Sequence, residues 1–231
     1  MNIIMKNYQV ILIDLDGTVI DSGPGIMESV QYALGKMGCE PADQETLRKF
    51  VGPSLMDSFT HLYAMSREDA EKATAYYREV YSTGNMFHFD LYEGIEDCLK
   101  SLQKAGKRLI LVTSKPHVYA ERILIKSKMD RYFEYQTGPE LSDDSSQKVR
   151  LIEKAIAECG LKKEETIMVG DTHFDIDGAV EAGIDSVGVT YGYGKGEELA
   201  EAGATYLVKS PEELSTLLKA NCKMYKLAEK G

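Results

Sequence analysis

Short apolar runs rich in β-branched residues recur along the chain, as YQVILI at 8–13, RLILVT at 108–113, TIMVG at 166–170, SVGVT at 186–190 and TYLV at 205–208. Each is too short for a helix and lacks the polar alternation of a half-exposed strand, so each reads as a strand buried on both faces. Helical patterns stand between most of them: 94–105 ended by Gly106, 116–128 opened by Pro116, 146–159 ended by Gly160, 175–182 ended by Gly183, and 211–220 opened by Pro211. Strand–helix repetition of this kind places helices on both sides of a parallel sheet. The expected fold is α/β, a doubly wound parallel sheet with a Rossmann-like core.

One stretch breaks the alternation. Residues 22–88 carry helical periodicity and no convincing buried strand, with candidate helices at 26–37, 43–50, 53–63 and 66–82, the last opening on an S-x-x-D cap. The division expected is a core of residues 1–21 and 89–231 with an inserted all-helical domain at 22–88. Gly23, Pro24, Gly25 and Gly84 stand at its edges as hinge or turn residues. There is no internal repeat.

A length of 231 residues with 43% hydrophobic content suffices for one sizeable core with a smaller insertion. The net charge of −10 argues against a nucleic-acid polymer as partner, since such affinity rests on clustered Lys and Arg. No apolar run approaches the roughly 20 residues that span a bilayer, and Asn2, Lys6, Asn7 and Gln9 interrupt the N-terminal segment, so neither a signal peptide nor a membrane association is expected. Cys39, Cys98, Cys159 and Cys222 are widely spaced, without zinc-ligand pairing, which suits reduced thiols in a cytoplasmic protein. No protein partner is implied.

In an open α/β sheet, ligands bind beyond the carboxyl ends of the strands. Asp14 and Asp16 follow the first strand, Thr113 ends the second run and Asp171 follows the third, so chain-distant polar residues converge on one rim. Asp14 and Asp16 leave an extended backbone in the same direction. Carboxylates so close repel unless a cation neutralises them or their environments separate their roles. Oxygen ligands without a His or Cys cluster point to Mg2+. Gly17 and Thr18 form a turn whose N–H groups can face an anion. Taken singly, each part has a plainer reading: D-x-D-G as a simple turn or weak calcium loop, Thr113 and Ser114 as caps of the following helix, Lys148 as an ordinary first-turn lysine, and YGYGKG at 191–196 as a mobile loop. GDTHFDIDGA at 170–179 adds Asp175 four residues after Asp171.

With these residues in order, the chain resembles the haloacid dehalogenase-like phosphohydrolases along nearly its whole length. DLDGT at 14–18 is similar to the family's first motif, LILVTSKP at 109–116 to its second, Lys148 to its third and GDTHFD at 170–175 to its fourth. FVGPSLMDSF at 50–59 and GVTYGYGKGEEL at 188–199 resemble the phosphoglycolate phosphatase and 5'-nucleotidase-like branch, whose helical cap is inserted after the first motif. Ile13 stands where the family often has Phe, Ser114 where Asn is common, and Lys148 lacks a following Pro. The phosphate-contacting lysine is therefore Lys148 or Lys115, with the order of motifs favouring Lys148.

The resemblance implies that Asp14 is the nucleophile, forming an aspartyl-phosphate, and that Asp16 is the general acid and base. It implies Mg2+ held by Asp14, the Asp16 backbone carbonyl and Asp171, with Asp175 supporting these ligands or occasionally joining them. Gly17, Thr18, Thr113, Ser114 and Lys148 would hold the phosphate. The implied substrate is phosphoglycolate, a nucleoside 5'-monophosphate or a sugar phosphate. Asp16 favours phosphoryl transfer over carbon–halogen cleavage. A phosphosugar mutase of the β-phosphoglucomutase kind has the same motifs, and a regulatory phospho-acceptor domain is disfavoured by motif order. Arg48, Lys49 and Ser54 are candidates for substrate contact from the insert, with a solvated helix end as the plainer role of each.

Overall fold

In the computed structural model, which describes residues 6–142 and 147–219, the chain is organised outward from β1 (Val10–Ile13), whose four residues are all buried. The pleat sends alternate side chains to opposite faces. Ile11 and Ile13 enter one apolar cluster and Val10 and Leu12 the other. After β1 the chain turns through DLDGT into β2 (Ile20–Asp21) and leaves for the insert, returning at β3 (Asp90–Leu91). β2 and β3 pair antiparallel, Ile20 opposite Leu91 and Asp21 opposite Asp90, so both crossings run side by side.

The insert comprises α1 (Gly23–Lys36), α2 (Gln44–Arg48), α3 (Leu55–Tyr63) and α4 (Arg67–Tyr81). Asp43, Ser54 and Ser66 cap three of these helices, accepting from the N–H groups of Thr46, Asp57 and Asp69. Gly23, Pro24 and Gly25 form the first turn of α1. A Cβ on Gly25 would stand 2.0 Å from the Asn85 carbonyl oxygen, so the glycine seats the helix start against the returning chain. Phe59 is fully buried and meets Phe50 edge-on at 5.1 Å.

The remaining elements follow the expected alternation: α5 (Ile95–Lys104), β4 (Arg108–Val112), α6 (His117–Ser127), β5 (Tyr135–Thr137), α7 (Lys148–Glu158), β6 (Thr166–Gly170), α8 (His173–Ala182), β7 (Asp185–Val189), α9 (Gly196–Glu201), β8 (Tyr206–Val208) and α10 (Pro211–Lys219). The six long-range strands form a parallel sheet in the order β5-β4-β1-β6-β7-β8. Leu151, Ile152 and Ala155 of α7 and Ala179 of α8 cover one face through Leu12, Ile110 and Met168. Leu99, Ile123 and Leu214, from α5, α6 and α10, cover the other. That second cluster runs on through Val19, Ile20 and Ile26 into Val30, Phe59 and Tyr77, so core and insert share one continuous apolar interior.

The fold is the expected α/β doubly wound sheet with a helical insertion. β5 lacks an apolar run, and β2 and β3 have two residues each, which left them without a periodicity to read. Among the described residues no helix is long and apolar enough to cross a membrane. Cys39, Cys98 and Cys159 are free thiols, while Cys222 and the end of the expected 211–220 helix lie outside the described residues, as do Ser145 and Ser146. Leu12 has no accessible surface and sits in the central strand. Leu12→Ala is expected to cost about 2–5 kcal/mol of stability, read as a lowered urea midpoint with an unchanged slope.

Candidate active site

Register decides where the polar residues fall. Ile13 is level with Leu111 of β4 and Val169 of β6, so Asp14, Thr113 and Asp171 emerge together just beyond the sheet. Asp14, Asp16, Gly52, Thr113, Ser114, Lys115, Lys148, Thr172, Phe174 and Asp175 line one small cavity there, in which the expected motifs from four parts of the chain meet.

Asp14, Asp171 and Asp175 each place a carboxylate oxygen within 4.8 Å of the others, all three buried. Lys148, at the start of α7, reaches into this cluster: its Nζ lies 2.7 Å from Asp14 Oδ1 and 2.7 Å from Asp175 Oδ1, and donates to the Val112 carbonyl at 3.2 Å. A Cβ on Gly178 would come within 2.8 Å of Lys148 Cβ, so a glycine on α8 makes room for the lysine stem. Asp175 is also the first-turn acid of α8, its Oδ2 accepting from Thr172 N at 3.1 Å and Thr172 Oγ1 at 2.9 Å. One side chain thus caps a helix and faces the cluster.

The Asp16 carboxylate is apart from the trio. Its Oδ2 lies 2.9 Å from Lys115 Nζ, and its buried Oδ1 has no hydrogen-bond partner. The two lysines are therefore assigned to different carboxylates, Lys148 to Asp14 and Lys115 to Asp16. Thr113 is buried, and its Oγ1 accepts from the Lys115 N–H at 3.1 Å, which fixes the TSKP turn while the residue still lines the cavity. Arg48 is exposed and Lys49 pairs with Glu45 in solvent, whereas Ser54 borders the cavity between insert and core together with Phe50, Gly52, Pro53, Leu55 and Met56, and Gly52 also reaches the small cavity at Asp14.

YGYGKG is a built wall of the site rather than a mobile loop. Tyr193 N donates to Asp171 Oδ2 at 2.8 Å, and Thr18 Oγ1 donates to Asp171 Oδ1 at 3.2 Å. Added Cβ atoms on Gly192 and Gly194 would stand 2.4 Å from Asp171 Cβ and 2.0 Å from its carbonyl oxygen, so only glycines let the loop close on Asp171. The Tyr193 hydroxyl bonds Asp21 and accepts from Gly23 N, at the departure point of the insert. The glycines suggested freedom in the sequence; here their missing side chains permit close approach.

Electrostatics follow from burial. Desolvation pushes the Asp14 carboxyl up, Asp175 and Asp16 add repulsion, and Lys148 opposes them; the result is about 7 against an ordinary 3.8. Burial likewise raises Asp171, reinforced by Asp175 and Asp14 against the Tyr193 N–H and Thr18 hydroxyl. Burial would depress Lys148, but Asp14 and Asp175 outweigh it and hold the ammonium above the usual lysine range. Three buried carboxylates facing one ammonium leave negative charge uncompensated, and an all-oxygen donor set without His or Cys fits a hard divalent cation such as Mg2+.

The molecule is thus an α/β protein with a buried aspartate cluster and a lysine at the carboxyl edge of its parallel sheet. The chain belongs to the haloacid dehalogenase-like hydrolase family, which it matches over residues 11–189. It is similar to a 5'-nucleotidase of Pseudomonas aeruginosa, 34% identical over 93% of this chain and 97% of that one. The tyrosine-protein kinase PtkA of Mycobacterium tuberculosis is 35% identical over 87% of this chain and 68% of its own. The crystal structure of a protein from Clostridium acetobutylicum, described as a predicted phosphatase, superposes with a TM-score of 0.88 at 41% identity, over 90% of this chain and 97% of that one. Phosphoglycolate phosphatases stand among the further relatives. The protein is accordingly a phosphatase of the haloacid dehalogenase-like kind.

A raised carboxyl pKa means the folded protein binds that proton more tightly than the unfolded chain, so Asp14 withdraws stability from the metal-free protein as pH rises from 3.8 through about 7. Metal binding requires the deprotonated form. Mg2+ is therefore expected to raise Tm, and to raise it more at pH 7.5 than at pH 5.5, a trend that differential scanning fluorimetry checks. Gly192→Ala should abolish that increase without removing a carboxylate, because its Cβ would stand 2.4 Å from Asp171 Cβ and force Asp171 and the loop apart.

Proposed function

We propose that the protein is a Mg2+-dependent phosphomonoester hydrolase that works through an aspartyl-phosphate on Asp14. The observation that carries this reading is Lys148 bridging Asp14 and Asp175 beside Asp171, with Asp16 at the edge of the same cavity. Asp14 would form a bond to phosphorus as the ester P–O bond breaks, while Asp16 gives its proton to the departing oxygen. In the second half Asp16 takes a proton from the attacking water, phosphate leaves, and Asp14 is regenerated. Lys148, Thr113 and Ser114 would hold the non-bridging phosphate oxygens. The Gly17 and Thr18 N–H groups, expected to face an anion, instead donate to the Ile20 carbonyl at 2.8 Å and the Leu15 carbonyl at 3.4 Å and so brace the turn.

Asp14, the Asp16 backbone carbonyl and Asp171 would hold Mg2+, with Asp175 supporting them through Lys148. When bound, that ion would neutralise charge on phosphate and nucleophile. Residues 22–88 would act as a cap over a core of 1–21 and 89–231, excluding water from a small cytoplasmic substrate such as phosphoglycolate, a nucleoside 5'-monophosphate or a sugar phosphate.

The kinship with PtkA favours one second reading, phosphoryl transfer to a hydroxyl acceptor other than water, which includes a phosphosugar mutase. Both readings are tested by phosphate release from these substrates with Mg2+ or EDTA. Hydrolysis predicts Mg2+-dependent release, lowered at least about a thousandfold in Asp14→Asn. Isomer interconversion or acceptor labelling without net release would favour transfer.

A further inference from the structure

Lys115 was expected as an alternative phosphate lysine, yet its Nζ touches Asp16 and a residue of the insert. It lies 2.9 Å from Asp16 Oδ2 and donates to the Tyr81 hydroxyl at 2.7 Å. Tyr81 is the last residue of α4, and all three side chains are more than nine-tenths buried. The ammonium also stands 5.1 Å from the centre of the Tyr81 ring. Asp16 and the prevailing position of the insert are thus joined through one cation.

Tyr81 is itself seated by both halves of the molecule. Its ring stacks on Tyr77 of α4 at 4.9 Å and meets Tyr119 of α6 edge-on at 5.4 Å. Nearby, Arg78 of α4 donates to the Leu141 carbonyl at 2.9 Å, and Arg122 of α6 donates to the Ser82 carbonyl at 3.2 Å. The end of α4 is therefore docked on the core when the Tyr81 hydroxyl meets Lys115.

The consequence falls on one oxygen. Lys115 engages Asp16 Oδ2, and the unpartnered Oδ1 is the remaining site on that carboxyl for a proton. Asp16 and Lys115 also border two cavities at once: the small one containing Asp14 and Lys148, and a larger one of about 100 Å3 between insert and core, lined by Phe50, Met56, Tyr77, Tyr81 and Tyr119 among others. A phosphoryl group in the first would have its leaving group face the second, with Asp16 bordering both.

We propose that Lys115 and Tyr81 are positioning residues that orient Asp16 when the insert is docked, directing its Oδ1 at the departing oxygen. This rests on the phosphatase reading. As the bond from Asp14 to phosphorus forms and the ester P–O bond breaks, the electron pair stays on the departing oxygen and the proton on Asp16 Oδ1 moves to it, giving an alcohol. The pair acts through Asp16 and touches neither phosphate nor nucleophile.

Leaving-group chemistry separates this role from a structural one. Alkyl phosphates need a proton on the departing alkoxide, whereas p-nitrophenyl phosphate releases a stable phenolate and gains little from an acid. General-acid assistance is worth roughly 10²–10⁴-fold, so a misdirected Asp16 should lower kcat/KM on an alkyl phosphate by about tenfold or more. The experiment compares kcat and KM for phosphoglycolate, a hexose phosphate and p-nitrophenyl phosphate in wild type, Lys115→Met and Tyr81→Phe, with Mg2+ present. Tyr81→Phe keeps the ring and deletes only the hydroxyl; circular dichroism and Tm verify that both variants fold.

The expected result is a loss in kcat/KM, which reports the steps up to aspartyl-phosphate formation and not the later water activation common to all esters, at least about fivefold larger on alkyl than on aryl esters in both variants. Losses in kcat/KM equal on both classes, no loss in folded Tyr81→Phe, or a loss on only one of the two alkyl esters would overturn the positioning role and leave the phosphatase intact. A wild type that hydrolyses none of the esters would overturn both.

Discussion

Charge held out of water is the constraint around which this molecule is arranged. Asp14, Asp16, Asp171, Asp175, Lys115 and Lys148 are each at least nine-tenths buried, a placement that is costly unless the charges are paired and hydrogen-bonded. The surroundings supply those partners in detail. The Val112 carbonyl, the Thr172 N–H and hydroxyl, the Thr18 hydroxyl, the Tyr193 N–H and the Tyr81 hydroxyl each point at one of the six. Strand register brings the acids together, and the loops, a helix cap and the insert then satisfy them.

The fold and part of the site were legible for the same reason. Continuous apolar runs imply strands covered on both faces, and a carboxylate ending such a run has no packing purpose; Asp14 and Asp171 stood out on that ground. Asp16 could be located but not its partner. Nothing local distinguishes Tyr81 from the other tyrosines of a helix whose spacing already accounts for burial, and its contact with Lys115 spans 34 residues. The YGYGKG loop was obscure for a different reason, since glycine in a sequence signals freedom or close approach equally. Only the position of Asp171 beneath the loop decides between them.

Asp175 illustrates how one side chain resists a single label. Its Oδ2 closes the N-terminus of α8, a stabilising role common to many helices, while its Oδ1 faces Lys148. The helix start and the electrostatic balance of the cluster are therefore set by the same group. The GDTHFD spacing is the trace of both demands, because the acid must stand three residues beyond the capping threonine and also reach the lysine.

The paired crossings of β2 and β3 have a bearing on how such molecules diversify. Because the chain departs and returns through adjacent, hydrogen-bonded residues, the segment between Asp21 and Asp90 begins and ends at nearly one point in space. Whatever is placed there leaves the sheet connectivity unaltered. Lengthening, shortening or replacing it changes what lies over the aspartates and leaves the strand order alone, provided the replacement again covers the apolar interior that Val19, Ile20 and Ile26 share with the insert. The ribbon is thus a socket: a different insert can be carried there while the part of the chain that holds the carboxylates keeps its connectivity.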